Sequence, residues 1–280
     1  MKQKFFKRIY VQVVAFFAHN PFVQNFFKGT IHQGKSKGIC VPGLNCYSCP
    51  AAAGACPLGS LQSNLASPQG KAPLYIIGII VTIGAFIGRS VCSFLCPFGL
   101  VQDLLYKIPT KKVGKSKVTR HLSVAKYIIL MVFVILLPYV VYLTTGIGSP
   151  FFCKLICPAG TLGAGIPLVI ANENLQSAIG FLFSWKVTLL VIFVLSSVFI
   201  YRPFCRFICP LGAIYSFFNK YALFGIYVDA SKCTQCKKCT RYCKMDVKEV
   251  NDRECIRCGE CIDVCPENAI SLNKPWKKNK

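Results

Sequence analysis

Apolar residues are gathered into four blocks along the chain, separated by polar, basic or cysteine-rich segments. A helix that crosses a bilayer needs about 20 mostly apolar residues, and the blocks at 9–27, 72–88, 125–145 and 181–201 approach that length. The first block is interrupted by polar residues, and the second is short but uncharged. Pro138 lies inside the third block, where it predicts a kink. The pattern therefore predicts an all-α membrane bundle with about four transmembrane helices.

The overall composition supports this prediction. Hydrophobic residues make up 54% of the chain and charged residues 15%. Soluble domains average about 45–50% apolar and about 25% charged residues. We therefore expect a membrane protein that carries a small soluble part.

The distribution of lysine and arginine predicts an orientation. The loop between the second and third blocks carries the basic residues Lys107, Lys111, Lys112, Lys115, Lys117 and Arg120. The loop from 146 to 184 contains one lysine and one glutamate. By the positive-inside rule the first loop is cytoplasmic and the second lies outside. Parity then places the N-terminus and all residues after 201 in the cytoplasm, and 28–71 outside, unless the first block lies in the interface. The predicted location is the cytoplasmic (inner) membrane, crossed several times.

The net charge of +23 limits the kinds of partner. A basic protein binds nucleic acid, anionic lipid or an acidic protein. No helix-turn-helix or zinc-finger pattern is present in the sequence, so we expect no nucleic acid. Membrane lipids and an acidic redox protein are the expected partners.

Eighteen cysteines are the second unusual feature of the composition. In a chain this long and apolar, they favour metal ligation over a disulfide scaffold. The pattern Cys-x3-Cys-Pro-x-Gly occurs three times, at Cys92/Cys96, Cys153/Cys157 and Cys205/Cys209. Its ending appears a fourth time at Cys56. The repetition at the ends of membrane segments indicates a shared role.

The C-terminal segment carries the most specific motif. The pattern Cys-x2-Cys-x2-Cys-x3-Cys occurs twice, as Cys233, Cys236, Cys239 and Cys243 and then as Cys255, Cys258, Cys261 and Cys265. In such pairs the fourth cysteine of each run ligates the other cluster. We therefore predict one [4Fe–4S] cluster on Cys233, Cys236, Cys239 and Cys265, and a second on Cys255, Cys258, Cys261 and Cys243. A zinc ribbon needs only two Cys-x2-Cys pairs and leaves the other cysteines unexplained. Only eleven residues separate the two runs, so this small α+β ferredoxin-like domain is expected to have little helix between them.

These features divide the chain into four predicted parts. They are an N-terminal membrane helix at 1–27, a cysteine-rich extracytoplasmic loop at 28–71, a membrane domain at 72–222 and a ferredoxin-like domain at 223–280.

The chain resembles the membrane-bound polyferredoxins typified by NapH and the C-terminal half of NosR. The resemblance rests on the motifs at Cys92/Cys96 and Cys205/Cys209, which border membrane helices, and on the double pattern from Cys233. It implies a multi-helix inner-membrane protein that relays electrons between quinones, flavins or redox proteins. The chain departs from NapH in the motif at Cys153/Cys157 and in the cysteines between 40 and 56.

The predicted topology sorts the remaining cysteines into two sets. On the cytoplasmic side are Cys92, Cys96, Cys205 and Cys209, which favour a shared metal centre; inert buried cysteines and thiol redox chemistry are the alternatives. Arg89, Arg202 and Arg206 lie nearby in sequence and would offset thiolate charge. On the outer side are Cys40, Cys46, Cys49, Cys56, Cys153 and Cys157. These six fit either a cluster plus a disulfide or a different metal centre, so one or two further Fe–S or metal centres are expected.

The expected function is electron transfer between a cytoplasmic donor and a quinone or an extracytoplasmic flavoprotein, reductase or other redox partner. The donor would be an acidic protein of the ferredoxin or flavodoxin kind. The alternative is a metal reductase or a maturation or regulatory factor for a metalloenzyme, of the CcoG or NosR kind. We predict no catalytic residue. Asp103 is expected to be a surface carboxylate at a helix end, with quinone protonation as the alternative.

Overall fold

The computed structural model describes residues 2–66, 73–177 and 179–273. Lys71 and Ala72, at the boundary between two of the predicted parts, therefore lie outside the described residues. The helices before the first long apolar helix are α1 (Lys2–His19), α2 (Asn25–Lys28), α3 (Pro57–Ala66), α4 (Leu74–Ile87), α5 (Ser90–Phe94) and α6 (Pro97–Leu105), with a 3-10 turn at Lys35–Gly38.

The second half of the chain begins with a nearly continuous helical run. The following helices are α7 (Lys117–Leu122), α8 (Ala125–Ile129), α9 (Leu137–Thr145), α10 (Phe151–Leu155), α11 (Pro158–Gly160), α12 (Ile166–Ala171), α13 (Glu173–Ser177), α14 (Phe181–Phe199), α15 (Pro203–Phe207) and α16 (Pro210–Phe218). The C-terminal part contains β1 (Gly225–Val228), α17 (Lys238–Tyr242), α18 (Glu260–Asp263) and β2 (Ile270–Asn273).

Two of the four apolar blocks form helices that are long and apolar enough to cross a membrane, by length and composition. They are the 29-residue run Lys117–Thr145 and the 19-residue helix α14. The second block forms the shorter α4, of 14 residues. In the first block α1 ends at His19, short of the predicted residue 27, and its Arg8 and Gln12 side chains are buried. This helix packs on α5 and α6, so its polar positions face protein.

Two helical stretches widen into π-helix, at Leu130–Leu136 and at Thr161–Gly165. In both, a proline follows after one further residue, at Pro138 and Pro167. Proline donates no backbone hydrogen bond, and its ring clashes with the carbonyl four residues earlier. The preceding turn therefore opens, and the kink expected at Pro138 takes the form of this π-helical segment.

The three Cys-x3-Cys-Pro-x-Gly motifs fold in the same way. The first cysteine ends up in a short helix (α5, α10 or α15), and the proline begins the next helix (α6, α11 or α16). The second cysteine is extended between them, with ψ of 117° at Cys96 and 111° at Cys157 and Cys209. Proline disfavours helical geometry in the residue before it and suits the first turn of a helix. The sequence thus forces a break that leaves the second cysteine at a helix N-terminus.

The C-terminal part is a two-stranded antiparallel sheet with the two cysteine runs between its strands. β1 pairs with β2 in a register that sets Gly225 opposite Asn273. Residues 244–259 contain no helix, which agrees with the short spacing between the runs. Met245 and Ile256 belong to the same buried core as Phe204 and Tyr215 of α15 and α16. The C-terminal part is therefore packed onto the motif helices.

Candidate metal centres

Four cysteines from two motifs come together beside α6 and α16; we call them the central tetrad: Cys92, Cys96, Cys205 and Cys209. All four are buried. The backbone N–H of Gly212 donates to Cys209 Sγ (3.4 Å), and Gln102 Nε2 donates to Cys205 Sγ (3.0 Å). Burial, with the neighbouring Cys96 thiol, raises the pKa of Cys205 to about 12. The thiols are thus stable as anions only beside strong positive charge.

Three arginines next to the two motifs in sequence are buried, and each is paired with a carboxylate. Their partners are Asp103 for Arg202, Glu254 for Arg89 and Asp246 for Arg206. Buried cations are tolerated where they are paired and hydrogen-bonded. Arg202 donates to the Cys92 carbonyl and Arg89 Nη2 approaches Gly212, so these two arginines place positive charge beside the tetrad.

The expectation for Asp103 was wrong. Its side chain has no exposed surface, and it accepts hydrogen bonds from Arg202 Nε (2.8 Å), Arg8 (3.1 Å) and Gln12 (3.0 Å). Although burial opposes ionisation, Arg202 and Arg8 hold the pKa of Asp103 below its ordinary value. The helix-end position suggested exposure, but packing of α1 and Arg202 over α6 covers it.

The central tetrad fits an anionic cluster. Arg89 Nε and Nη2 are buried N–H donors without a hydrogen-bond partner among the described residues. Nη2 lies 3.6 Å from the point where a Cβ at Gly212 would stand, at the edge of the tetrad. Buried donors are almost always paired, and hydrogen bonds to cluster sulfurs are a normal feature of iron–sulfur sites. Cys92, Cys96, Cys205 and Cys209 would hold such a group.

A second group of four lies around a large cavity; we call it the distal tetrad: Cys46, Cys56, Cys153 and Cys157. Burial, with the neighbouring thiols of Cys157 and Cys46, raises the pKa of Cys56 to about 12. Gln62 Nε2 donates to Cys153 Sγ (3.3 Å), and Lys186 Nζ donates to the Cys153 carbonyl (3.3 Å). The cavity has a volume of about 970 Å³, and all four cysteines line it.

The other two cysteines of the predicted outer set do not line this cavity, although Cys49 packs against Cys46. Cys40 forms an isolated β-bridge with Ala55. Cys49 Sγ faces Asn20 Oδ1 (3.7 Å), and its carbonyl accepts a hydrogen bond from Lys37. Neither lines the large cavity.

The C-terminal cysteines also fall into two groups, tail group A and tail group B. Tail group A lines a cavity of about 40 Å³ with Cys233, Cys236, Cys239 and Cys265. Tail group B consists of Cys243, Cys255, Cys258 and Cys261. Burial and the three neighbouring thiols of this group raise the pKa of Cys261. Each group therefore contains three cysteines of one run and the fourth of the other. Cys233 and Cys236 are exposed, whereas Cys255 is buried.

The central and distal tetrads are neighbours in space. Phe152 precedes Cys153, Phe204 precedes Cys205, and their rings are 6.5 Å apart between centroids. Tyr215 is fully buried, and its burial and the nearby thiols of Cys92 in the central tetrad and Cys56 in the distal tetrad raise its pKa. The sequence topology placed the two sets at opposite faces of a bilayer core about 30 Å thick. The motif loops instead meet within reach of one aromatic side chain.

Among the described residues, no three His, Cys, Asp or Glu side chains converge closely enough to hold a single metal ion. A single zinc ion binds its sulfur ligands at about 2.3 Å. The ligands of a four-iron cluster bind different irons, so their sulfurs stand further apart than those around one ion.

Sequence inspection missed three polar residues of these sites: Gln62, Gln102 and Lys186. The glutamines carry a recognisable signal, because Cys-Pro-x-Gly-x-x-Gln occurs at 56–62 and again at 96–102. Lys186 lies at the start of an apolar helix, where a lysine ordinarily extends toward the membrane interface.

Comparison with known families identifies the chemistry. A family profile described as "4Fe-4S binding domain" matches three times, at residues 69–116, 127–167 and 181–226, once for each Cys-x3-Cys-Pro-x-Gly motif. A second profile of the same description matches residues 248–271. The chain belongs to the NapH/NosR-type iron–sulfur proteins. It is therefore an iron–sulfur electron-transfer protein of the polyferredoxin kind.

Named relatives agree with this assignment. An uncharacterised protein of Methanocaldococcus jannaschii is 32% identical over 204 residues, which is 71% of this chain and 78% of the relative. The ferredoxin-type protein NapH of Escherichia coli is 24% identical, covering 79% of this chain and 75% of NapH. The regulatory protein NosR of Stutzerimonas stutzeri is 26% identical over 69% of this chain, but only 26% of NosR is covered. No solved structure is significantly similar to this NapH/NosR-type chain.

Proposed function

We propose that this protein conducts electrons from an acidic cytoplasmic donor, through four groups of cysteines, to an acceptor bound beside the distal tetrad. The bundle would cross the membrane four times, with a ferredoxin-like domain holding two [4Fe–4S] clusters in the cytoplasm. An iron–sulfur cluster, when bound, accepts and releases one electron at a time.

The observation that carries the proposal is the serial arrangement of the four groups. Tail group A is the most exposed of the four groups. Cys261 of tail group B lies near Cys239 of tail group A: burial and the other thiols of its own group raise the pKa of Cys261 most, and the Cys239 thiol raises it further. Tail group B is linked to the central tetrad by the ion pair between Glu254, which precedes Cys255, and Arg89, which lies three residues before Cys92. The central tetrad neighbours the distal tetrad through Phe152 and Phe204. Electron transfer slows steeply with distance, so groups that follow one another in series suit conduction.

The surroundings of the two ends suit different partners. Exposed Lys237, Lys238 and Arg241 lie around tail group A, which favours an acidic donor. The cavity at the distal tetrad has a volume of about 970 Å³, which lies within the range of about 300–1,000 Å³ for sites that bind drug-sized organic ligands. A quinone, or a flavin or other redox group presented by an extracytoplasmic partner, fits that space.

Membrane insertion is supported by the outer faces of the long helices. Ile128, Met131 and Leu143 of the first run and Ile192 and Leu195 of α14 are exposed. Large exposed apolar faces mark contact with protein or membrane. On helices of this length they favour lipid.

The proposal is tested by electron transfer across sealed proteoliposomes. Reduced ferredoxin is supplied on the side that the tail faces, and an impermeant acceptor is trapped within. We expect Cys157→Ser to abolish reduction of the acceptor while the tail clusters remain reducible. The matched variant Cys40→Ser, outside the tetrads, should transfer like the parent. Equal transfer by Cys157→Ser would overturn the proposed path and leave delivery to a partner on the cytoplasmic side.

A further inference from the structure

Gln62 and Gln102 occupy equivalent positions in two different parts of the molecule. Each lies on a helix that begins with the proline of Cys-Pro-x-Gly, six residues after the cysteine. Each Nε2 lies 3.4 Å from the carbonyl four residues earlier, that of Leu58 or Phe98. Both side chains are fully buried.

The two glutamines also make the same contact with sulfur. Gln102 donates to Sγ of Cys205 (3.0 Å), the first cysteine of its Cys-x3-Cys motif. Gln62 donates to Sγ of Cys153 (3.3 Å), again the first cysteine of such a motif. Each tetrad therefore combines cysteines next to a glutamine-bearing helix with the two cysteines of a Cys-x3-Cys-Pro motif that lacks the glutamine. In the latter motifs Gly163 and Tyr215 stand six residues after the second cysteine, where the glutamine would be.

A positively charged side chain also lies against one motif of each tetrad. At the central tetrad Arg202 donates to the carbonyl of Cys92 and approaches the motif glycine Gly99. At the distal tetrad Lys186 donates to the carbonyl of Cys153 (3.3 Å) and lies 4.0 Å from the point where a Cβ at Gly160 would stand. In each tetrad a cation thus faces the first-cysteine carbonyl and the glycine of one motif. Arg202 does so on the motif that bears the glutamine, and Lys186 on the motif that lacks it.

We infer that the distal tetrad is a second iron–sulfur site built on the plan of the central one, ligated by Cys46, Cys56, Cys153 and Cys157. Gln62 is its sulfur hydrogen-bond donor, as Gln102 is for the central tetrad. Cys40 and Cys49 are not ligands. This assignment selects four of the six outer cysteines and gives the chain four cluster sites.

The local chemistry favours this over a disulfide between the motif cysteines. A buried amide N–H aimed at sulfur and a lysine on the adjacent carbonyl both stabilise negative charge, which a thiolate ligand has and a disulfide lacks. Ligation of a cluster would exchange each thiol for a thiolate that the cluster already carries, and the proton of the incoming thiol would pass to the displaced thiolate.

Iron analysis of the anaerobically purified full-length chain tests the ligand set. Four clusters of four irons give about 16 iron atoms per chain. The double variant Cys153→Ser/Cys157→Ser, and Cys46→Ser alone, should fall to about 12, one cluster fewer. The matched double variant Cys40→Ser/Cys49→Ser should keep the full content. Full iron in the first two variants, or loss in the last, would overturn the assignment.

Potentiometric EPR tests the glutamines and separates this inference from the proposed electron path, since it measures no flow. Hydrogen bonds to sulfur stabilise the more negative, reduced cluster and so raise its potential. Gln62→Leu and Gln102→Leu should each shift one signal to lower potential, and the two signals should differ. Unchanged tail-cluster signals in the same samples show that each variant is folded. A shift of the same signal by both variants, or no shift with Gln62→Leu, would contradict a separate distal cluster.

Discussion

At the residue scale, the buried arginines explain how thiols so far from water can be ligands. Arg89 and Arg202 each precede the first cysteine of a motif by three residues. Burying an unpaired cation costs several kcal/mol, which a well-placed carboxylate offsets. The carboxylates come from other segments, Glu254 from the tail and Asp103 from α6. Charge pairing thus links the motifs to each other and to the tail.

Asp103 provides the clearest test of this network. Asp103→Asn keeps the shape of the side chain but leaves Arg202 and Arg8 facing a neutral group. Breaking a buried pair by removing one partner costs roughly 3–5 kcal/mol. We expect a clearly lower unfolding temperature in detergent, measured by tryptophan fluorescence.

Glu249→Gln is the control for that measurement. It removes the same charge from an exposed position, and exposed charges contribute little to stability. Equal unfolding temperatures for the two variants would mean that the buried pairing of Asp103 contributes no net stability.

At the element scale, the two long apolar helices are the elements on which the proposed membrane topology depends. The run Lys117–Thr145 is 29 residues long, about 44 Å at 1.5 Å per residue, enough for a tilted crossing. α14 returns after residues 146–180. If both cross, the basic loop before the first and the segment between them lie on opposite faces.

Epitopes inserted at Lys111 and at Asn174 check this arrangement, since both residues are exposed. In intact cells we expect the Asn174 epitope to be accessible from outside and the Lys111 epitope only after permeabilisation. An epitope on the C-terminal tail should behave like the one at Lys111. Accessibility of both central sites from the same face would refute the four-crossing topology.

At the scale of the whole molecule, a net charge of +23 on a 280-residue chain favours fast association with acidic proteins. Lys238 and Arg241 are exposed on α17, within tail group A. In the proposed path, charge at this position steers an acidic donor toward tail group A. Positive charge on other parts of the surface attracts an acidic protein without directing it to tail group A.

We therefore expect Lys238→Glu/Arg241→Glu to slow reduction of the tail by reduced flavodoxin at least tenfold at low salt, because steering changes association rates by about 10–10³-fold. Stopped-flow spectroscopy at two ionic strengths gives the rate, and the difference should shrink as salt screens the charges. Lys28→Glu/Lys35→Glu makes the same change in net charge at exposed residues outside the tail. An equal effect of both variants would show that the tail surface is not the docking site.

The local patterns were predictable because each depends on residues within a turn or two of one another. The break at every Cys-Pro, the two apolar helices and the absence of helix between the tail runs follow from proline geometry, hydrophobic length and spacing. The iron–sulfur assignment also rested on spacing alone, since three cysteines on one short loop suit one cluster.

What sequence alone left open was decided by contacts between distant segments. Cys56 joins Cys153 across 97 residues because Gln62 of α3 packs on α10, and no local pattern specifies that pairing. Asp103 is buried because α1 and Arg202 cover α6. The sequence by itself indicated that the cysteines bind metal, because their number and spacing are properties of the chain order. The packing of helices decided which four cysteines meet in each tetrad, because burial and charge pairing depend on residues that are distant in sequence.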